Sequence, residues 1–259
     1  MRILVSNDDG VHSEGLEHLI RALLPLGHVT VVAPDRERSA VGHSLTFFHP
    51  LRVHRLRQDE GCVVYSSTGT PSDCILLGLY ELMPERPHLV VSGINRGANL
   101  GDDITYSGTV SAAMEGLIHG IPAFAISLAG SDGTLHWETA AGAAARVAQS
   151  LWHHGLPPRT FLNVNVPNVP PDDLKGFQAT IQGSTIYSQN VVKRADPRGK
   201  LYYWVTGEIP RGEPVEGTDF EAVMSGHVSI TPIQLDLTNR EFISRLETWD
   251  LVRNGRGPS

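Results

Sequence analysis

The chain has 259 residues and a formal net charge of −7, an acidic balance that argues against broad electrostatic capture of DNA or RNA. No apolar run approaches membrane-spanning length, and the first residues enter a strand without the apolar core of a secretory leader, so a cytoplasmic setting away from membranes is expected. The length suits one large α/β domain, or a core with an appended smaller part.

Residues 2–6 (Arg-Ile-Leu-Val-Ser) form a short apolar run that predicts a buried strand, stopped by Asn7-Asp8-Asp9-Gly10. Ser13–Leu24 predicts an amphipathic helix with Leu16, Leu19, Ile20, Leu23 and Leu24 on one face and Pro25 ending it. His28–Ala33 is a second apolar strand, so the chain opens as a βαβ unit, which implies a parallel sheet with a right-handed crossover. A polar loop follows over residues 35–46, and 51–57 and 62–67 pair as short strands. Pro71–Leu82 reads as a helix with Pro71 near its start. His88–Ser92 is a buried strand and 93–108 a long Gly/Asn/Asp loop. Thr109–His119 is a small-residue helix, Pro122–Leu128 a strand, Thr134–His153 an Ala-rich helix and Thr160–Val166 a strand. Strand–helix alternation fades after Pro167. Residues 178–206 read as a protruding hairpin with a polar tip at 193–200, His227–Pro232 as a late strand and Thr238–Leu251 as a terminal helix. The Gly/Pro/Ser-rich last residues are expected to fray. The expected organisation is a Rossmann-like core over 1–167 and a C-terminal extension over 168–259. The two cysteines, Cys62 and Cys74, match no zinc or redox spacing and read as reduced thiols.

Four loops carry the candidate chemistry. Asp8 and Asp9 follow the first strand, where ligands bind in parallel α/β sheets. Adjacent carboxylates repel unless a cation lies between them, and all-oxygen ligands suit Mg²⁺, Mn²⁺ or Ca²⁺; the same residues also suit a helix cap or a turn. The loop over residues 35–44 offers hydroxyls, Ser39 among them, to a metal or a phosphate, or is simply a solvated connection. In residues 92–101, Asn95 offers a neutral carbonyl oxygen to a hard cation, and Arg96 is a phosphate clamp or a surface charge. Ser107-Gly108-Thr109 opens a helix, where free N–H groups and the helix dipole favour an anion; an ordinary N-cap is the alternative. Three loops follow parallel strands and the fourth begins the helix after the third, so all four are expected on one sheet edge as a metal-plus-phosphate site. A dinucleotide dehydrogenase is disfavoured because the first turn lacks Gly-x-Gly-x-x-Gly, and no P-loop motif occurs.

The set Ile3–Gly10, Ala33-Pro34-Asp35, Ser39–Ser44, Ser92–Asn99 and Tyr106–Val110 closely resembles the SurE family, stationary-phase survival proteins that act as 5′/3′-nucleotidases. The resemblance extends to Asn163–Pro167 and Gly226–Pro232, nearly the whole chain. It implies a SurE-like α/β fold and one Mg²⁺ or Mn²⁺ per subunit held by Asp8, Asp9, Ser39 and Asn95. It implies hydrolysis of nucleoside monophosphates, with short polyphosphate as a further substrate, and a homodimer or homotetramer that exchanges C-terminal segments. In the expected mechanism a metal-activated water is oriented or deprotonated by Asp8 or Asp9, or one of the two attacks phosphorus directly. Asn95, Ser107, Gly108 and Thr109 bind the substrate, with Ser107 acting catalytically on the phosphate charge. His43 protonates the leaving alkoxide or is only exposed. A generic metal-dependent phosphatase and a nucleotide sensor that never hydrolyses its ligand are the competing expectations.

Overall fold

The computed structural model describes residues 1–186, 189–207 and 211–253. Residues 187–188 of the expected hairpin and the tail expected to fray lie outside them. In chain order the elements are β1 (Arg2–Ser6), α1 (Glu14–Leu23), β2 (His28–Pro34), β3 (Val53–Asp59), β4 (Cys62–Ser67), α2 (Pro71–Leu77), β5 (Leu89–Arg96), α3 (Gly108–Ile118), β6 (Ala123–Ala129), α4 (Trp137–His154) and β7 (Thr160–Pro167). There follow β8 (Phe177–Ala179), β9 (Thr185–Ile186), β10 (Gln189–Ala195), β11 (Leu201–Gly207), β12 (Arg211–Gly212), α5 (Asp219–Met224), β13 (Val228–Gln234), α6 (Arg240–Leu246) and α7 (Asp250–Arg253).

The central sheet runs β3-β4-β2-β1-β5-β6-β7-β13-β8. β4, β2, β1, β5, β6 and β7 are parallel, β3 runs antiparallel to β4 and β13 to β7, and β8 lies parallel to β13. Strand order turns outward in both directions from β1, towards β2 on one side and β5 on the other. The β1/β5 boundary is therefore the topological switch point, where the loops leaving the two strands part and open a crevice.

Period decides which face each strand residue covers. Ile3 and Val5 join one core with Leu16, Leu19, Ile20 and Leu23 of α1 and the buried stripe of α4. Leu4 and Val90 join a second core with Cys74 and Ile75 of α2 and Val110, Ala112 and Ala113 of α3. The small residues of α3 let it approach the sheet closely: a Cβ on Gly116 would lie 2.8 Å from Val90 side-chain atoms. Both cysteines are free and buried, and burial pushes the Cys74 thiol up.

Several boundaries differ from the sequence reading. β5 does not stop at Ser92 but runs to Arg96, through a register shift beyond which Asn95 and Arg96 pair with Ser127 and Leu128 of β6. Gly93, at φ +139°, permits the irregularity, because its missing Cβ would sit 2.3 Å from the Ile126 carbonyl oxygen. The hairpin is β10–β11, beginning at Gln189, whereas the 177–186 stretch supplies β8 to the central sheet and β9 to a separate pairing with β12. The sheet thus continues past 167 through β13 and β8. The expected terminal helix is two short ones, with Glu247, Thr248 and Trp249 between them. No helix of the described residues is long and apolar enough to cross a membrane.

Candidate active site

At the end of β1, Asn7 shapes the turn that presents the aspartates. Its side-chain amide donates to Gly10 O (2.9 Å) and to Ser13 Oγ (2.7 Å). Gly10 sits at φ +97°, and a Cβ there would come within 3.1 Å of the Arg36 backbone, so the loop after β2 packs directly on this turn. The Arg38 N–H donates to the Asp8 carbonyl (2.7 Å), and the Gly42 N–H to the Tyr106 carbonyl (3.0 Å). The first, second and fourth loops therefore touch.

Asp8 is 4% exposed and points at the start of α3. Its Oδ2 accepts the Thr109 N–H (3.1 Å), and its Oδ1 accepts the Thr109 hydroxyl. Burial raises its pKa despite these bonds. Gly108 makes the approach possible, since a Cβ there would meet Asp8 Cβ at 2.8 Å and Oδ2 at 2.9 Å. Asp8 thus caps a helix, but it is the distant α3 and not the α1 that follows it. Asp9 is more open. Its Oδ2 accepts the Arg96 N–H (2.9 Å), which joins the first loop to the third. Burial, with the negative charges of Asp8 and Glu37, pushes its pKa up to about 6 even though the Arg96 bond opposes this.

Asn95 donates its side-chain amide to Gly97 O (2.8 Å), which leaves its Oδ1 as the atom still able to accept. Among the described residues nothing donates to Asn95 Oδ1 or to Asp9 Oδ1. Ser107 is the N-cap of α3: its Oγ accepts the Val110 N–H (3.1 Å), and its own hydroxyl proton has no acceptor among the described residues. Thr109 is fully buried with both donors on Asp8, so it sits behind the carboxylate and not on the surface a phosphate would meet. Ser39 is exposed, and its hydroxyl donates to Glu37 (2.7 Å), while its neighbour Arg38 is tied to Asp8. Arg96 extends away, its guanidinium on the Ser131 carbonyl. His43 bonds Glu115, two turns into α3, and not a group beside the aspartates.

The donors fit a hard divalent cation: two carboxylates, an amide oxygen without a partner and a nearby hydroxyl, all oxygen. Among the described residues, no group of three or more His, Cys, Asp or Glu is arranged to hold a metal, so a cation must draw on the neutral oxygens as well as Asp8 and Asp9. Among the described residues, the hydroxyl of Ser92, the register partner of Ser6 within β5, is buried without a partner, as is Asn7 Oδ1. A cavity of about 730 Å³ opens elsewhere, lined by Met114, Leu117, Ile118, Ile121, Pro122 and Leu156. His43 and Arg159 line it as well, and no Asp or Glu does, so it offers a cation no carboxylates.

The crevice needs residues that single-segment reading missed. Asn99 is buried in an amide knot: its N–H donates to Asn165 Oδ1 (2.8 Å), and its carbonyl accepts from Asn163 and Asn165 (2.8 and 2.9 Å). Asp219, 1% exposed at the start of α5, accepts the Gly101 and Gly183 N–H groups (2.8 and 2.9 Å) and fixes the loop before α3. Polar residues at consecutive inward positions of β7 were the available signal for the knot; Asp219 had none.

A family model described as survival protein SurE matches residues 3–189. The chain belongs to the SurE family. It is 53% identical over 251 residues to the 5′-nucleotidase SurE of Geobacter sulfurreducens, covering 97% of this chain and 94% of that protein. It is 48% identical to the 5′-nucleotidase SurE of Heliobacterium modesticaldum, covering 96% and 92%. The crystal structure of the SurE protein from Aquifex aeolicus superposes with a TM-score of 0.82 at 45% identity, over 95% of this chain and 98% of that one. The mostly parallel sheet flanked by helices is therefore the SurE fold.

Proposed function

We propose that this SurE-family chain is a metal-dependent phosphomonoesterase that hydrolyses nucleoside 5′-monophosphates, and 3′-monophosphates as secondary substrates, to nucleoside and phosphate. The observation that carries the reading is the meeting, at one switch point, of two adjacent carboxylates, the free Asn95 Oδ1 and the capped start of α3. The family relatives named 5′-nucleotidase SurE support the substrate class.

Asp8, Asp9, Asn95 and Ser39 would hold one Mg²⁺ or Mn²⁺ per subunit, with Ser39 exchanging its Glu37 bond for the ion. The ion supplies Lewis acidity toward a phosphate oxygen and toward water. Thr109 does not touch substrate; it is a positioning residue that fixes both Asp8 oxygens. The Ser107 hydroxyl, with its proton unassigned, donates to a phosphate oxygen at the mouth of the α3 dipole, where charge builds on the equatorial oxygens. Gly108 leaves room for the Asp8 carboxylate against the start of α3. Asp9 Oδ1, which accepts no hydrogen bond among the described residues, would orient the attacking water, taking its proton as the new P–O bond forms and the ester P–O bond breaks. The leaving alkoxide takes a proton from solvent in this reading, since His43 is spent on Glu115.

We place the enzyme in the cytoplasm as a homodimer or homotetramer, with 168–259 as the extension that joins subunits. The exposed apolar residues of β11, Tyr203, Trp204 and Val205, support this, as do those of the terminal helices, Leu251 among them. Phosphate release from AMP, GMP and p-nitrophenyl phosphate at matched concentrations, after chelation and after restoring Mg²⁺ or Mn²⁺, tests the reading. Metal-restored turnover favouring nucleotides is expected. Equal turnover of all three points to a generic phosphatase, and tight binding without phosphate release points to a sensor.

A further inference from the structure

We propose that Glu115 and His43 are positioning residues: their contact clasps the Ser39-bearing loop to α3 and so holds Ser39 in reach of Asp8 and Asp9. The role of Ser39 rests on the metal-site reading above; the clasp itself does not.

The loop joining β2 to β3 spans residues 35–52 without regular structure and carries Ser39. A connection of that length is entropically expensive to hold in one shape, so its anchors matter. Arg38 ties the loop's start to the Asp8 and Thr68 carbonyls, and Ser44 and Thr46 tie its later part to Thr70 and Asp73; between them, two consecutive residues attach it to α3. The Gly42 N–H meets the Tyr106 carbonyl just before α3, and His43 Nε2 lies 2.5 Å from Glu115 Oε2, seven residues past Gly108 and about 10 Å along the helix at 1.5 Å per residue. Between Ser39 and the clasp the chain adopts left-handed geometry twice, at Ala40 (φ +56°) and Gly42 (φ +57°). An alanine in that region is strained and persists only where its surroundings fix it.

Glu115 itself has no reason to be where it is on packing grounds. It is 3% exposed and is the one charged residue of α3. Burial pushes its carboxyl up, but the bonds from His43 and from His119 Nε2 (3.0 Å) outweigh burial and leave it below the ordinary carboxylate value. Replacing such a buried ionic group by an apolar one is often neutral or favourable for stability, so its presence points to specificity of arrangement. His119 is on α3 itself and continues to Tyr80 (2.8 Å), so it completes the carboxylate's bonding without reaching the loop. Among the described residues, His43 is the one bond from Glu115 to the loop.

The test uses metal-free protein, with hydrogen exchange read over residues 36–46 and over α3, and then Mn²⁺ titration by calorimetry. His43→Ala changes a side chain at the surface and keeps α3 intact. It is expected to speed exchange over 36–46 and weaken Mn²⁺ binding, each by about tenfold, the scale of one lost hydrogen bond to a charged group, while α3 exchanges as before. Glu115→Ala should match it, the double variant should be no worse than either single one, and Glu115→Gln, which still accepts from His43, should restore most of the protection. His119→Ala should leave the loop within about twofold of wild type, as it breaks no bond to the loop. Unchanged exchange over 36–46 in His43→Ala overturns the clasp. So does equal loosening in His119→Ala, which would make Glu115 a packing element of α3. A wild-type protein that binds no Mn²⁺ yet shows the expected exchange pattern overturns the metal reading and leaves the clasp standing.

Discussion

Asp9→Asn separates what the crevice costs from what it does. Burial and the charges of Asp8 and Glu37 push the Asp9 carboxyl from an ordinary 3.8 up to about 6. Because the native value exceeds the unfolded one, protonation favours the folded state. The penalty of ionising Asp9 is absent below about pH 4, grows through pH 4–6 and is complete above pH 6. At ~1.4 kcal/mol per factor of ten, the metal-free protein carries a ceiling of about 3 kcal/mol at pH 8. Asparagine is isosteric, neutral and still accepts the Arg96 N–H, so the substitution removes the penalty without opening a hole. At roughly 2–4 °C per kcal/mol for a chain of this size, the ceiling on the gain is about 6–12 °C. Thermal unfolding in EDTA at pH 4 and pH 8 reads the stability, and phosphate release with Mn²⁺ reads the activity. The expected result is a stabilised metal-free variant at pH 8, little gain at pH 4, and loss of most turnover. A variant that melts lower than wild type at pH 8, or gains equally at both pH values, would refute the electrostatic reasoning.

Other substitutions probe the same crevice. Gly108→Ala places a methyl 2.8 Å from Asp8 Cβ and should displace the carboxylate, costing on the order of 100-fold in kcat with only about 1–3 kcal/mol of stability, measured by phosphate release and urea unfolding. Ser107→Ala removes the cap on the Val110 N–H and should cost about 1 kcal/mol, together with a kcat loss larger than any KM change. Asp219→Ala strands the buried Gly101 and Gly183 N–H groups and should cost about 2–4 kcal/mol in urea unfolding, while hydrogen exchange rises over residues 97–105.

The readable parts of the sequence were those fixed by periodicity. The i, i+3, i+4, i+7 spacing of Leu16, Leu19, Ile20 and Leu23 gives α1, all four are buried, and the apolar runs give the parallel strands. Tertiary contacts set what stayed hidden. β5 runs past Ser92 because β6 offers Asn95 and Arg96 a partner across a bulge that local propensity does not announce. Thr109 reads locally as a substrate donor, yet both of its donors go to a carboxylate 101 residues earlier in the chain. His43 reads as a general acid or a surface residue, and only the fold brings Glu115 to it, 72 residues away. Asp219 stands in a segment with weak periodicity, and its role appears only once α5 packs beside the 3₁₀ turn at Gly101–Thr105.

Anomalous diffraction from a crystal soaked in Mn²⁺ and inorganic phosphate tests the account most directly. A single Mn²⁺ peak per subunit is expected, within coordination distance of Asp8, Asp9 and Asn95 Oδ1, with phosphate between it and the Ser107–Gly108 start of α3. A peak at any other cluster, or phosphate seated away from that helix start, would contradict it.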